Sequence, residues 1–108
     1  MALPQCLLIV TAEVDAKIEA EWNKWYDIDH LPAALACPGV LSGKRYVASG
    51  PIFDNIRGQR SERTTRVYTT VYELAGPDAV NTPQFLAMRG WHHLAPGVRS
   101  ETRVVVAV

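Results

Sequence analysis

Apolar positions along the chain recur with two periods, and the switch between them marks its elements. Cys6-Leu7-Leu8-Ile9-Val10-Thr11-Ala12-Glu13 is an apolar, β-branched run of strand length. Asp15 is placed to cap a following helix, with Glu19 and Glu21 in its first two turns. Ile18, Trp22, Trp25 and Tyr26, then Asp29-His30, follow the i, i+4, i+7, i+8 stripe of an amphipathic helix. Pro32 biases Leu31 away from helical geometry, which predicts an end or break close to His30. A short turn over Ala33 to Ala36 closes at Pro38-Gly39.

Val40 to Ser49 reads as a second strand stopped by Gly50-Pro51, and the polar residues 51–64 read as a loop. Arg66 to Leu74, rich in Val, Thr and Tyr, predicts a third strand. After the Gly76-Pro77-Asp78 turn, a helical segment from Asp78 to Arg89 is interrupted near Pro83, with Phe85, Leu86 and Met88 as core candidates. Arg103 to Val108 predicts the last strand. The order βαββαβ is that of an α+β, ferredoxin-like sandwich with a four-stranded antiparallel sheet, one domain over residues 1–108.

Two helices cover one face of such a sheet. The first and last strands are nevertheless apolar on both faces: Leu7 and Ile9 against Cys6, Leu8 and Val10, then Val105 against Val104 and Val106. A bare apolar face calls for cover, and a second copy joined through the sheet faces, as a homodimer, supplies it economically. Burying even ~600 Å² of apolar surface per partner is worth roughly 15 kcal/mol before association costs.

Composition narrows the function. Eleven basic against eleven acidic residues give zero net charge, which argues against a general nucleic-acid binder. No apolar run approaches the ~20 residues that span a bilayer, and Met1 to Val10 lacks a basic leader region. A cytoplasmic protein that does not engage membranes is expected. Cys6 and Cys37 read as buried thiols, and no phosphate loop, dinucleotide fingerprint or zinc motif is present, so no cofactor and no metal are expected.

The run Glu21-Trp22-Asn23-Lys24-Trp25-Tyr26-Asp27-Ile28-Asp29-His30-Leu31-Pro32, then Pro38-Gly39-Val40 and Lys44-Arg45-Tyr46, resembles the dimeric α+β barrel superfamily, closest to its EthD-like and related small bacterial proteins. The resemblance covers the chain in topology, and its specific motifs lie within residues 21–46; Gly90-Trp91 with Pro96-Gly97 also looks like the exit from the second helix in such proteins. That superfamily includes muconolactone isomerases, polyketide cyclases, aromatic-ring monooxygenases and proteins of no known activity. It therefore speaks for fold more than for reaction.

Several residues carry possible chemistry. His30 and Tyr26 share a helix face with Trp22; His30 reads as a general acid/base with Tyr26 as its partner, or else as a helix-end cap. The helix dipole, Asp27 and Asp29 favour its protonated form, while burial against tryptophans opposes it. Arg45 shares a strand face with apolar residues and therefore holds either a substrate anion or a structural carboxylate. Trp22, Trp25, Phe85 and Trp91 are expected to wall a substrate cavity, and one of His92 and His93, with His93 preferred, to close its end; a solvent-facing pair is the plainer reading. A two-histidine-one-carboxylate metal set through His30 is a remote alternative. Tyr68 and Tyr72 share a face that belongs to either cavity or interface. Arg57, Arg60, Arg63 and Arg66 form either a solvated loop that pairs with the acidic helix or a lid drawing in anions.

The leading expectation is a small cofactor-independent enzyme acting by proton transfer on a hydrophobic, aromatic-derived or polyketide-like carbonyl or lactone, with isomerase, dehydratase/lyase or cyclase chemistry. A non-catalytic small-ligand-binding protein and a cofactor-free monooxygenase are the alternatives.

Overall fold

In the computed structural model, residues 3–108 are described; Met1 and Ala2, at the start of the segment read as lacking a leader, lie outside them. Strand β1 (Cys6–Val14) leads through a single 3₁₀ turn into helix α1 (Glu19–Trp25). Asp15 makes no side-chain cap; its backbone N–H donates to the Gly97 carbonyl instead.

The expected helix break at Pro32 does not occur. The chain passes from α1 through a π-helical turn (Tyr26–His30) straight into α2 (Leu31–Leu35), with Pro32 in the first turn of α2. A proline lacks the N–H for the i→i−4 bond and crowds the carbonyl that would accept it. Widening the turn just before it relieves both problems, so the ribbon continues.

Strand β2 (Val40–Val47) follows. Residues 52–63, expected as loop, instead form a hairpin of β3 (Ile52–Ile56) and β4 (Gln59–Arg63). Ile56 pairs with Gln59 across the two-residue turn Arg57-Gly58, both at positive φ (52° and 82°). That is the tight turn whose twist suits a hairpin, with glycine at the second position. The polar strand β4 is exposed throughout, and Phe53 and Ile56 of β3 are exposed as well.

Strand β5 (Val67–Leu74) is close to its expected limits. A 3₁₀ turn (Pro77–Asn81) then precedes α3 (Pro83–Met88), where the Thr82 hydroxyl accepts from the Phe85 N–H as a true N-cap. The last strand, β6 (Val98–Val106), starts five residues earlier than expected. Its polar first half pairs with β1 from Val14↔Val98 onward, so backbone pairing, not side-chain apolarity, sets its start.

The four long strands make an antiparallel sheet of order β2-β5-β1-β6, the ferredoxin-like arrangement, with the hairpin as a separate two-stranded sheet. Helices cover the face that carries Leu8, Val10, Ala12, Tyr68 and Tyr72. Core packing there falls into two clusters. One joins Leu8, Ala34, Leu74 and Phe85; the other joins Ala12, Trp22, Tyr26, Tyr68 and Leu94; Trp91 and Leu31 pack against both. The opposite face presents Leu7, Ile9, Val71 and Val105. Among the described residues no helix is long and apolar enough to cross a membrane.

Candidate functional site

A cavity of about 560 Å³ opens between the two core clusters. The sheet supplies Leu8 and Val10 from β1, Tyr72 from β5, and Thr102 and Val104 from β6; the helical layer supplies Tyr26, His30, Phe85, Met88 and Trp91. Its volume suits a ligand of one to three rings, and its walls are mostly apolar with a few polar groups.

His30 projects into this cavity and is only 7% exposed. The π turn sets its orientation. In an ordinary α-helix Trp25 and His30, five residues apart, would lie ~140° apart around the axis. Hydrogen bonding of the i→i+5 type brings such residues one above the other, and here the imidazole stacks on the Trp25 ring at 4.5 Å and 22°. Tyr26 meets it edge-on at 4.9 Å and Trp91 at 5.4 Å. Trp25 therefore backs the imidazole and does not line the cavity.

Burial decides the protonation of His30. Desolvation, reinforced by the nearby His92, pulls its pKa down to about 4. Asp27 and Asp29, expected to oppose this, are exposed to water, and no carboxylate lines the cavity. At neutral pH the ring is an uncharged proton acceptor.

Two phenols line the same cavity. The Tyr26 and Tyr72 hydroxyls hydrogen-bond at 3.1 Å, both rings being almost completely buried. Burial raises the pKa of Tyr26, partly offset by the Thr70 and Tyr72 hydroxyls and the charge of Arg45. Burial also raises that of Tyr72, and the neighbouring Tyr26 raises it further. Both stay protonated at neutral pH. One donates to the other, which leaves a hydroxyl proton for a ligand oxygen.

Arg45 lies elsewhere, on the far side of Tyr26. Its guanidinium sits 4.4 Å from the Tyr26 ring centroid and 5.1 Å from that of Trp22. It donates to the Asp27 carboxylate and to the Asn23 side-chain oxygen, both at 2.6 Å. A carboxylate of the first helical segment thus pairs with it, as in the structural reading of this residue, while its buried Nε has no partner. Trp22 is 1% exposed and packs on Tyr26, Tyr68 and Trp91, supporting the wall from behind.

His93 is exposed and meets Glu21 at 2.9 Å, and neither it nor His92 lines the cavity; His92 approaches Trp25 at 5.7 Å. Among the described residues no three metal-ligating side chains gather. The hairpin arginines also lie away from the cavity. Arg63 pairs with Glu13 and Asp54, and Arg66 with Glu19. Of the expected site, then, the fold brings His30, Tyr26, Phe85 and Trp91 together, and adds Tyr72, whose face the sequence left undecided.

No protein-family model and no curated protein matches the chain. Solved structures do. HapK from Hahella chejuensis superposes with a TM-score of 0.63 at 13% identity, over 95% of this chain and 92% of that one. An ethyl tert-butyl ether D (EthD) family protein from Bacillus halodurans gives 0.62 at 9%, over 95% and 99%. A variant of SnoaB from Streptomyces nogalater, described as a cofactor-independent oxygenase, gives 0.56 at 15%, over 97% and 94%. At such identities the likeness is one of fold, and that fold is the ferredoxin-like α+β arrangement found in EthD-like proteins.

Proposed function

We propose that this protein is a small cofactor-independent enzyme that moves a proton on a hydrophobic, aromatic-derived or polyketide-like carbonyl or lactone. The observation that carries the reading is the convergence of a neutral buried imidazole and a hydrogen-bonded pair of phenols on one apolar cavity. A base beside neutral hydrogen-bond donors suits proton abstraction next to a carbonyl.

In this scheme His30 takes a proton from the carbon α to the carbonyl, and the electrons of the C–H bond pass to the carbonyl oxygen. The Tyr26–Tyr72 hydroxyls hold the resulting enolate. Its negative charge raises the proton affinity of His30, which makes an imidazole of low resting pKa a competent base in the complex. The imidazolium then returns the proton to another carbon, which is isomerisation, or to a leaving group, which is elimination. Arg45 acts through Tyr26, its charge on the ring face favouring donation from the phenol. Phe85 and Trp91 hold the apolar body of the substrate, while Trp22 and Trp25 fix the ring positions.

The same reading includes a homodimer, with Leu7, Ile9, Val71 and Val105 of each sheet covered by its twin. It places the protein in the cytoplasm, where the free thiols of Cys6 and Cys37 stay reduced. The likeness to a cofactor-independent oxygenase favours a second reading, in which the enolate reacts with oxygen. Oxygen uptake by metal-free protein with an enolisable aryl ketone would select it.

Deuterium incorporation into tetralone, an enolisable aryl ketone, tests the proton-transfer step. His30→Ala is expected to lower the catalysed rate at least ~100-fold while changing tetralone affinity less than ~10-fold. Equal rates in the two proteins would remove His30 from the chemistry.

A further inference from the structure

Charge around the cavity is one-sided. The chain holds equal numbers of acidic and basic residues, yet the cavity lining includes Arg89 and Arg103 and no aspartate or glutamate. Arg103 is committed to Glu101 at 3.4 Å and pairs across the sheet with Ile9, whose side chain lies on the face away from the helices. Arg45, Arg63, Arg66 and Arg99 each have a carboxylate partner as well. Arg89, like Arg57 and Arg60 of the hairpin, has none among the described residues; of these three only Arg89 lines the cavity, and it stands exposed where α3 ends.

The local backbone puts it there. Arg89 is extended (φ −67°, ψ 157°) and Gly90 follows at φ +104°. That left-handed step reverses the chain, so that Arg89 and Trp91 both border the cavity.

We infer that the cavity takes a substrate bearing a carboxylate, held at the mouth by Arg89 while its apolar body lies against Phe85, Met88 and Val104. The inference rests on the reading of this cavity as a substrate site, and it adds the substrate's charge. Arginine suits the role because its planar fork meets both oxygens of a carboxylate. A cavity whose charged lining is of one sign also concentrates anions. The carbonyl end of the same molecule then reaches the Tyr26–Tyr72 hydroxyls.

Calorimetric titration with naphthoate and with naphthamide, its uncharged counterpart of equal size, tests this. Wild-type protein is expected to bind naphthoate about tenfold more tightly, the magnitude of one charge-assisted hydrogen-bonded contact. Arg89→Gln should erase that preference and leave naphthamide binding unchanged; Arg89→Lys should keep part of it, and raised salt should diminish it. Arg57→Gln, at the hairpin tip, should behave as wild type. Equal affinities in wild type, no binding of either probe, a preference that survives Arg89→Gln, or one lost equally in Arg57→Gln would each overturn the proposal. Naphthoate has no enolisable proton, so a failed deuterium exchange assay would leave this result standing, and the converse also holds.

Discussion

The imidazole of His30 illustrates how one residue's surroundings set both its chemistry and its cost. Desolvation on burial among Trp25, Tyr26 and Trp91, reinforced by His92, keeps it neutral, with a pKa of about 4 against roughly 6.5 in an unfolded chain. Because the folded value is depressed, protonation favours the unfolded state. Stability is full above about pH 6.5, declines as pH falls toward 4, and levels off below. The fall amounts to about 3 kcal/mol at most. Urea titrations between pH 7 and 4.5 should show it, and His30→Gln should flatten it; a wild-type stability constant over that window would contradict the burial. Glu13, whose carboxyl is held low by hydrogen bonds from Arg99 and Arg63, begins to lose its contribution only near pH 4.5, at the lower edge of the window. The sequence identified His30 and Tyr26 as partners from spacing, but it could not rank burial against the two aspartates, because side-chain exposure depends on the fold. Arg45 shows a related limit. Strand alternation assigns its face, while only the register, Arg45 opposite Thr70 and Gly43 opposite Tyr72, decides that Tyr72 reaches the cavity and Arg45 does not.

Elements with strong periodicity and buried apolar residues were legible: β1 and β5 lie close to their expected limits, and the helical stripe begins where expected but runs on past His30 as a π turn and α2. Those shaped by backbone pairing or strain were not. The π turn leaves no pattern in hydropathy, since it inserts one residue into a stripe that is aromatic on several sides. It nevertheless determines which aromatic ring the buried His30 imidazole rests on. The β3–β4 hairpin was hidden by its polarity, although Arg57-Gly58 at its tip is a turn signal that could have revealed it. An isolated two-stranded hairpin is marginal in water. Hydrogen exchange should therefore find its amides at least ~100-fold less protected than those of β1 and β5, which lie in the middle of the sheet. Equal protection would mean that something covers the hairpin in solution.

At the scale of the molecule, the proposed homodimer rests on the sheet face that the helices leave uncovered. Leu7 and Ile9 lie beside Val71 and Val105 in the register of β1 with β5 and β6, a patch made of the two central strands and the edge strand β6. Sedimentation at micromolar concentration should give a dimer, and Leu7→Asp should yield folded monomers, because a carboxylate there, between Val105 and Glu73, is stranded in the interface. A wild-type monomer with native structure would contradict the sheet-to-sheet assembly. The apolar character of both faces of β1 was plain in the sequence, as was the ferredoxin-like order of elements. The cavity was less so, since its walls come from five separate segments that only the packed layers bring together.

The dependence of catalysed deuterium exchange on pH tests most directly whether a neutral His30 is the working base. With tetralone as substrate, kcat/KM for the wild-type protein should rise through pH 4 to 5 and then hold level to pH 8, following loss of the imidazolium proton. His30→Ala should show no such plateau. A wild-type rate that climbs tenfold per pH unit across the whole range would mean that hydroxide, and not this imidazole, removes the proton.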